Sequence, residues 1–197
     1  LQSALNMSQP CVLAPVILFG VVFGLAGRFF AVSLKYVKEK MSHFFENPYV
    51  RIGLVSIPLA IILTLLYQGR YSGLGTNLIA AAFGDQTIFA YDWFLKILLT
   101  VLTLSIGFQG GEVTPLFSIG ASLGVIAGGV LGLPPEVCAA LGYAAVFGSA
   151  TNTLMAPVLI GLEVFGTENA LAFVLVCIVA YLVNGNRSIY TAQQLEC

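Results

Sequence analysis

Gly110-Gly111-Glu112-Val113-Thr114-Pro115 is the stretch of this 197-residue sequence in which residue types and spacing combine most clearly into chemistry. Pro115 fits the first position of a helix, so the amides of about residues 112–114 are expected to lack intrahelical partners and to carry the positive end of the dipole. Paired glycines let such a loop turn tightly and bring its N–H groups close to a ligand, which makes a ready site for an anion. Thr114 adds a hydroxyl donor. A plain helix start with a glycine hinge would look much the same, and Glu112 is what separates the two readings. A carboxylate in an apolar region is costly and is by default a candidate functional group. Burial and a neighbouring anion disfavour its charged form while a helix dipole favours it, so a carboxylate placed there can take up and release a proton. The competing reading of Glu112 is a helix cap.

Tyr190 follows the break Asn184-Gly185-Asn186-Arg187 and is expected to start a short last helix over residues 188–194. A phenol there can donate a hydrogen bond to an anion while its ring packs among apolar groups. Glu163, near a helix end before Gly166, reads as a structural, hydrogen-bonded carboxylate. Gly120-Ala121-Ser122-Leu123-Gly124 matches the G-x-S-x-G pattern of serine hydrolases, but it falls inside a helix instead of on a strand-to-helix turn. The single histidine, His43, lies in a polar connection far along the chain and does not suit Ser122 as a partner. Cys11, Cys138, Cys177 and Cys197 show no C-x-x-C pairing, so neither a disulfide framework nor a metal site is suggested; they read as small packing residues. No cofactor motif is present.

The elements that hold these groups must lie in lipid. Of the residues 58% are hydrophobic and 9% charged, with a mean hydropathy of +0.95, against about 25% charged in soluble domains. A net charge of −1 without a basic patch argues against nucleic acid. The opening Leu1-Gln2-Ser3-Ala4 has neither a methionine nor a signal-peptide pattern, and a partial chain with a further upstream portion is the expectation. Residues 12–37 are apolar enough to cross a bilayer and residues 52–67, starting from Pro48, return. The connection 41–47, flanked by Lys35, Lys38, Lys40 and Arg51, is expected on the cytoplasmic side.

Beyond residue 70 the apolar segments shorten: 73–83, then a candidate crossing over 93–106, then 116–131, 139–147, 154–165 and 171–183. Gly, Pro, Asn and Thr punctuate them, with breaks expected at 107–115, 134–136, 148–152 and 184–186. Lipid cannot hydrogen-bond a broken backbone, so such breaks persist only inside protein or beside an aqueous cavity. Broken helices meeting near the midplane are how many secondary transporters build ion sites. The fold class is therefore an all-α integral membrane protein with tilted and broken, re-entrant helices. Gly120, Gly124, Gly128 and Gly132 recur every four residues and predict a face for close helix packing.

These segments together resemble the CLC family of chloride channels and anion–proton antiporters. Gly73–Ile79 (GLGTNLI) is similar to a glycine-rich N-L-I segment of the family, residues 110–115 to its G-x-F-x-P anion loop, and Tyr190 in NRSIY to its anion-coordinating tyrosine. Ala156-Pro157 and Leu162-Glu163 resemble the helix before its dimer-interface turn. Val113 stands where chloride members usually carry phenylalanine, and G-E-V-T-P is similar to the fluoride–proton antiporter branch. The resemblance implies that Val113 and Thr114 line the anion site, that Tyr190 closes it and that Glu112 takes part in proton movement. It also implies two inverted repeats, of which residues 1–197 would be the second, C-terminal one. The first would carry a gating-glutamate loop, absent from this sequence, and the whole would be a homodimer using residues 154–165 and 171–183.

The function expected is fluoride export in exchange for protons, with a chloride channel or chloride–proton exchanger as the alternative. An intramembrane enzyme or a purely structural membrane subunit are the readings from other classes. The amides near Val113 and Thr114 and the Tyr190 hydroxyl are expected to face one internal cavity. A cysteine substituted at His43 should resist an impermeant reagent applied outside intact cells; ready labelling would reverse the orientation.

Overall fold

The computed structural model describes Leu5, residues 10–84 and residues 86–190. The described residues form eight α-helices: α1 (Pro10–Phe44), α2 (Pro48–Leu65), α3 (Thr76–Ala82), α4 (Asp92–Ile106), α5 (Val113–Leu131), α6 (Pro135–Thr151), α7 (Met155–Phe165) and α8 (Ala170–Asn184), with a 3-10 turn at Tyr67–Gly69. Val12–Phe44, Pro48–Leu65 and Val113–Leu131 are long and apolar enough to cross a membrane. α7, with 11 residues, and α4 and α8, with 15 each, are shorter than the ~30 Å hydrocarbon layer at about 1.5 Å per residue.

Several boundaries differ from the sequence expectation. α1 continues through residues 41–44, leaving residues 45–47 as the connection. The stop comes from Asn47, whose side chain accepts from Tyr49 N at 3.0 Å and caps α2, with Pro48 in its first turn. α6 begins at Pro135 as expected but runs unbroken through Gly148 to Thr151. Gly148 serves packing there, because a Cβ would meet the Pro157 ring of α7 at 2.6 Å. The break is at Asn152 (φ 56°). Ser188, Ile189 and Tyr190 are not helical, so the last helix does not start at residue 188; residues 191–194 lie outside the described residues, as do the side chains of Cys11 and Cys197.

The core is organised around α6, of which 14 of 17 residues are buried. A helix apolar on every side is stable only when other helices surround it; α5, α1 and α8 supply that cover, with α7 alongside. Small residues make the contact tight. A Cβ on Gly120 would strike the carbonyl of Gly142, and one on Gly124 that of Cys138. Gly128 faces the Cys138 side chain, but Gly132 leaves the stripe and ends α5 in the left-handed region (φ 66°). α2 is peripheral, with Leu59 its one buried residue, and turns Leu54, Ile57, Ile61 and Leu65 outward.

A polar strap ties the α2–α3 connection to the start of α4. Asp92 is fully buried and accepts from Arg70 Nη2 (2.7 Å), Tyr71 Oη (2.5 Å) and Phe89 N (2.9 Å). One turn on, Lys96 Nζ donates to the carbonyls of Tyr71 (2.9 Å) and Gly73 (2.8 Å). Arg51, read from sequence as a topology signal, donates through Nε to Ile106 O at 2.7 Å and closes the far end of α4.

Gly124→Val should cost about 3 kcal/mol by forcing α5 off α6, seen as a lowered thermal midpoint of the detergent-solubilised protein. Gly129→Ala, where a Cβ would meet nothing within 4 Å, should leave that midpoint unchanged or raised. Asp92→Ala removes the acceptor of three donors and strands Arg70, and the same measurement should register a loss of about 3–5 kcal/mol.

Candidate functional site

The G-G-E-V-T-P loop leaves α4 at Gly107, whose φ of 116° turns the chain, and stays non-helical through Glu112. α5 then starts at Val113, so Pro115 occupies its third position and not the first. Proline is tolerated there because no N–H in the first helical turn has an intrahelical acceptor. The first bond of the ladder is Leu116 N to Glu112 O at 3.2 Å. The N–H groups of Val113 and Thr114 precede it and remain available at the positive end of the helix.

Glu112 occupies the N-cap position, yet its side chain makes no capping hydrogen bond. The Tyr190 phenol, arriving from beyond α8, is an electrostatic neighbour of the Glu112 carboxylate. The chain that carries Tyr190 is pinned to the end of α6: Ser188 Oγ donates to Thr151 O and Ile189 N to Ala150 O, both at 2.9 Å. An amide cluster sets its path. Asn152 Nδ2 donates to Asn186 Oδ1 (2.9 Å), and Asn184 Nδ2 donates to Asn152 Oδ1 (3.2 Å) and to Arg187 O (2.6 Å). Asn152, Gly185 and Asn186 all have positive φ, which suits asparagine and glycine.

Tyr190 is thus brought from far along the sequence to Glu112, which precedes Val113 and Thr114 in the chain. Val113 packs against the main core, while Glu112 and Thr114 are half-buried and Tyr190 is 38% exposed. Among the described residues these groups keep a partly open face. The cavity nearest in sequence to the loop, about 210 Å³, is lined by Gly110, Gly111 and Pro115 together with Lys96.

Other candidates separate. Ser122 is buried in α5 and gives its hydroxyl to Ser118 O at 2.7 Å, while His43 is exposed near the end of α1. No nucleophile–base pair results. Glu163 is exposed on α7, and no hydrogen bond to it occurs among the described residues, so the structural-carboxylate reading does not hold. Cys138 and Cys177 are buried in the core. Sequence reasoning overlooked Arg70, Asp92 and Lys96. The signal was present: two opposite charges four apart at the head of an apolar helix.

The family model described as voltage gated chloride channel matches residues 4–185. A curated relative from Pseudomonas syringae pv. tomato, named chloride/fluoride channel protein, is 37% identical over 186 residues, covering 91% of this chain and 41% of the relative. The crystal structure of a CLC-type fluoride/proton antiporter superposes with a TM-score of 0.95 at 52% identity, covering 100% of this chain and 49% of that one. The chain thus spans about half the length of these relatives or less. With its broken apolar helices and the family match over nearly its whole length, the chain belongs to the voltage gated chloride channel, or CLC, family of multi-pass membrane proteins.

Proposed function

We propose that this chain is the second inverted repeat of a fluoride–proton antiporter, joined in the complete protein to a first repeat and assembled as a homodimer. The observation that carries the reading is the Tyr190 phenol facing the Glu112 carboxylate beside the open start of α5. Without an anion, the phenol is free to donate to the carboxylate beside it. An entering anion takes the phenol for itself, together with the Val113 and Thr114 amides and the Thr114 hydroxyl. Glu112 then loses a donor and gains a like-charged neighbour, and both changes favour taking up a proton. Anion occupancy and protonation are coupled by the same hydrogen bond.

Fluoride suits these donors. A small, strongly hydrated anion gives up its water only to a dense set of N–H and O–H groups, and Thr114 supplies one more than an apolar residue would. The likeness to a solved fluoride/proton antiporter at 52% identity favours the same cargo. Apolar residues left exposed on α7 and α8, including Leu159, Val164, Leu171 and Leu182, suit a subunit interface or lipid. Transport, not catalysis, is the activity assigned. A second reading, passive conduction of chloride or fluoride, draws on the name of the curated relative; it predicts anion current without stoichiometric proton movement.

In the full-length protein reconstituted in liposomes, a fluoride gradient should drive proton uptake in the wild type. Glu112→Gln keeps size and hydrogen bonding but cannot carry a proton. It should cut proton uptake about tenfold or more, in keeping with a coupling of about 1–3 kcal/mol, while the protein stays monodisperse and anion flux persists uncoupled. Proton movement at the wild-type rate in this variant would make Glu112 a structural residue. Proton-free anion current in the wild type would favour the channel reading.

A further inference from the structure

Lys96 is the buried cation that the roles assigned above leave unneutralised. It is 1% exposed, in the first half of α4, and its Nζ donates to the Tyr71 and Gly73 carbonyls. An ammonium has three N–H groups, and the third meets no acceptor among the described residues. The carboxylate one turn earlier on the same face makes no ion pair with it: Asp92 is engaged by Tyr71 Oη on one oxygen and by Arg70 Nη2 and Phe89 N on the other. Arg70 and Lys96 against Asp92 alone leave this buried cluster with one positive charge in excess. Carbonyl dipoles offset such a charge only in part, and burial without a counter-charge is unfavourable.

The surroundings of Lys96 offer room for a counter-ion. The residue lines the cavity of about 210 Å³ whose wall also includes Gly110 and Gly111 of the α5 loop. Thr100, four residues on and so on the same face of α4, lines it too. Its hydroxyl makes no hydrogen bond among the described residues, unlike that of Thr103, which is returned to Leu99 O at 2.7 Å. A buried ammonium N–H and a spare hydroxyl therefore border one space, among mainly apolar walls that strengthen their field.

We propose that this cavity is a second site for a small inorganic anion, a halide held by Lys96 and Thr100 beside the loop that opens α5. The proposal rests on the transport reading and deepens it. The site would hold an anion next to the Glu112–Tyr190 site and draw anions towards it with the positive charge of Lys96.

Sodium fluoride binding to the full-length protein, titrated calorimetrically, and fluoride flux in liposomes test this. Wild-type protein should bind one more fluoride per subunit than Lys96→Met. That variant and Thr100→Val should raise the half-saturating fluoride concentration by about tenfold, the usual worth of a hydrogen bond to a charged partner. Lys96→Arg, keeping the charge, should stay close to wild type, and the ratio of protons to fluoride should be the same in all. If Lys96→Met does not yield monodisperse protein, Thr100→Val, which removes none of the observed hydrogen bonds, decides alone. Wild-type site number and half-saturation in the variant that decides would overturn the second site. Loss of proton coupling in the wild type itself would instead count against the transport reading.

Discussion

The near-touching backbones of α5 and α6 set the position of nearly everything else. At Gly120 and Gly142 each helix lies where the other would place a Cβ, so the two axes approach as closely as helices can. In lipid this closeness takes over the role of the hydrophobic effect, because the alternative solvent is itself apolar and only packing distinguishes the folded arrangement. α6 then acts at its middle and at its C-terminal end. Its middle fixes the height and direction of α5, and with them the loop at residues 110–115. Its last carbonyls, at Ala150 and Thr151, hold the segment that brings Tyr190. The two halves of the candidate site are therefore both referenced to one buried helix, which explains how residues 112 and 190 meet without a direct element between them.

A second constraint follows from putting helix ends where water does not reach. Terminal carbonyls need donors, and leaving one unmet costs about 1–3 kcal/mol. Cations meet this need twice. Arg51 serves the end of α4, and Arg28, inside the apolar span of α1, has Nη1 3.5 Å from Val183 O near the end of α8. At the end of α6, Ile189 N and Ser188 Oγ meet it at the carbonyls of Ala150 and Thr151. These polar groups permit short, broken helices to exist at membrane depth, and broken helices in turn leave amides free to face an ion. Support and function draw on the same unsatisfied backbone.

Asp92, Arg70 and Tyr71 show what a charge requires when it is wholly structural: every oxygen of the carboxylate has a partner. Glu112 shows the opposite condition, with a single neighbouring phenol and no capping bond. The first carboxylate is locked in place by its partners, whereas the second is not bound into the scaffold.

The sequence by itself determined the solvent, the helical class and the loop at residues 110–115, because composition and glycine–proline spacing act locally. It also determined the small-residue face of α5, since a four-residue period is a property of one helix. Helix ends were legible where a local signal sets them, as at Pro135, which opens α6, and illegible where a distant side chain decides. Gly148 reads as a break and is a contact for Pro157; Gly132 reads as packing and is a cap; Pro115 reads as first and stands third. Only the tertiary structure brought Tyr190 to Glu112, enclosed Lys96, and exposed Glu163. Those outcomes depend on which face of each helix meets which neighbour, and a one-dimensional pattern carries the period of a face but not the identity of what packs against it.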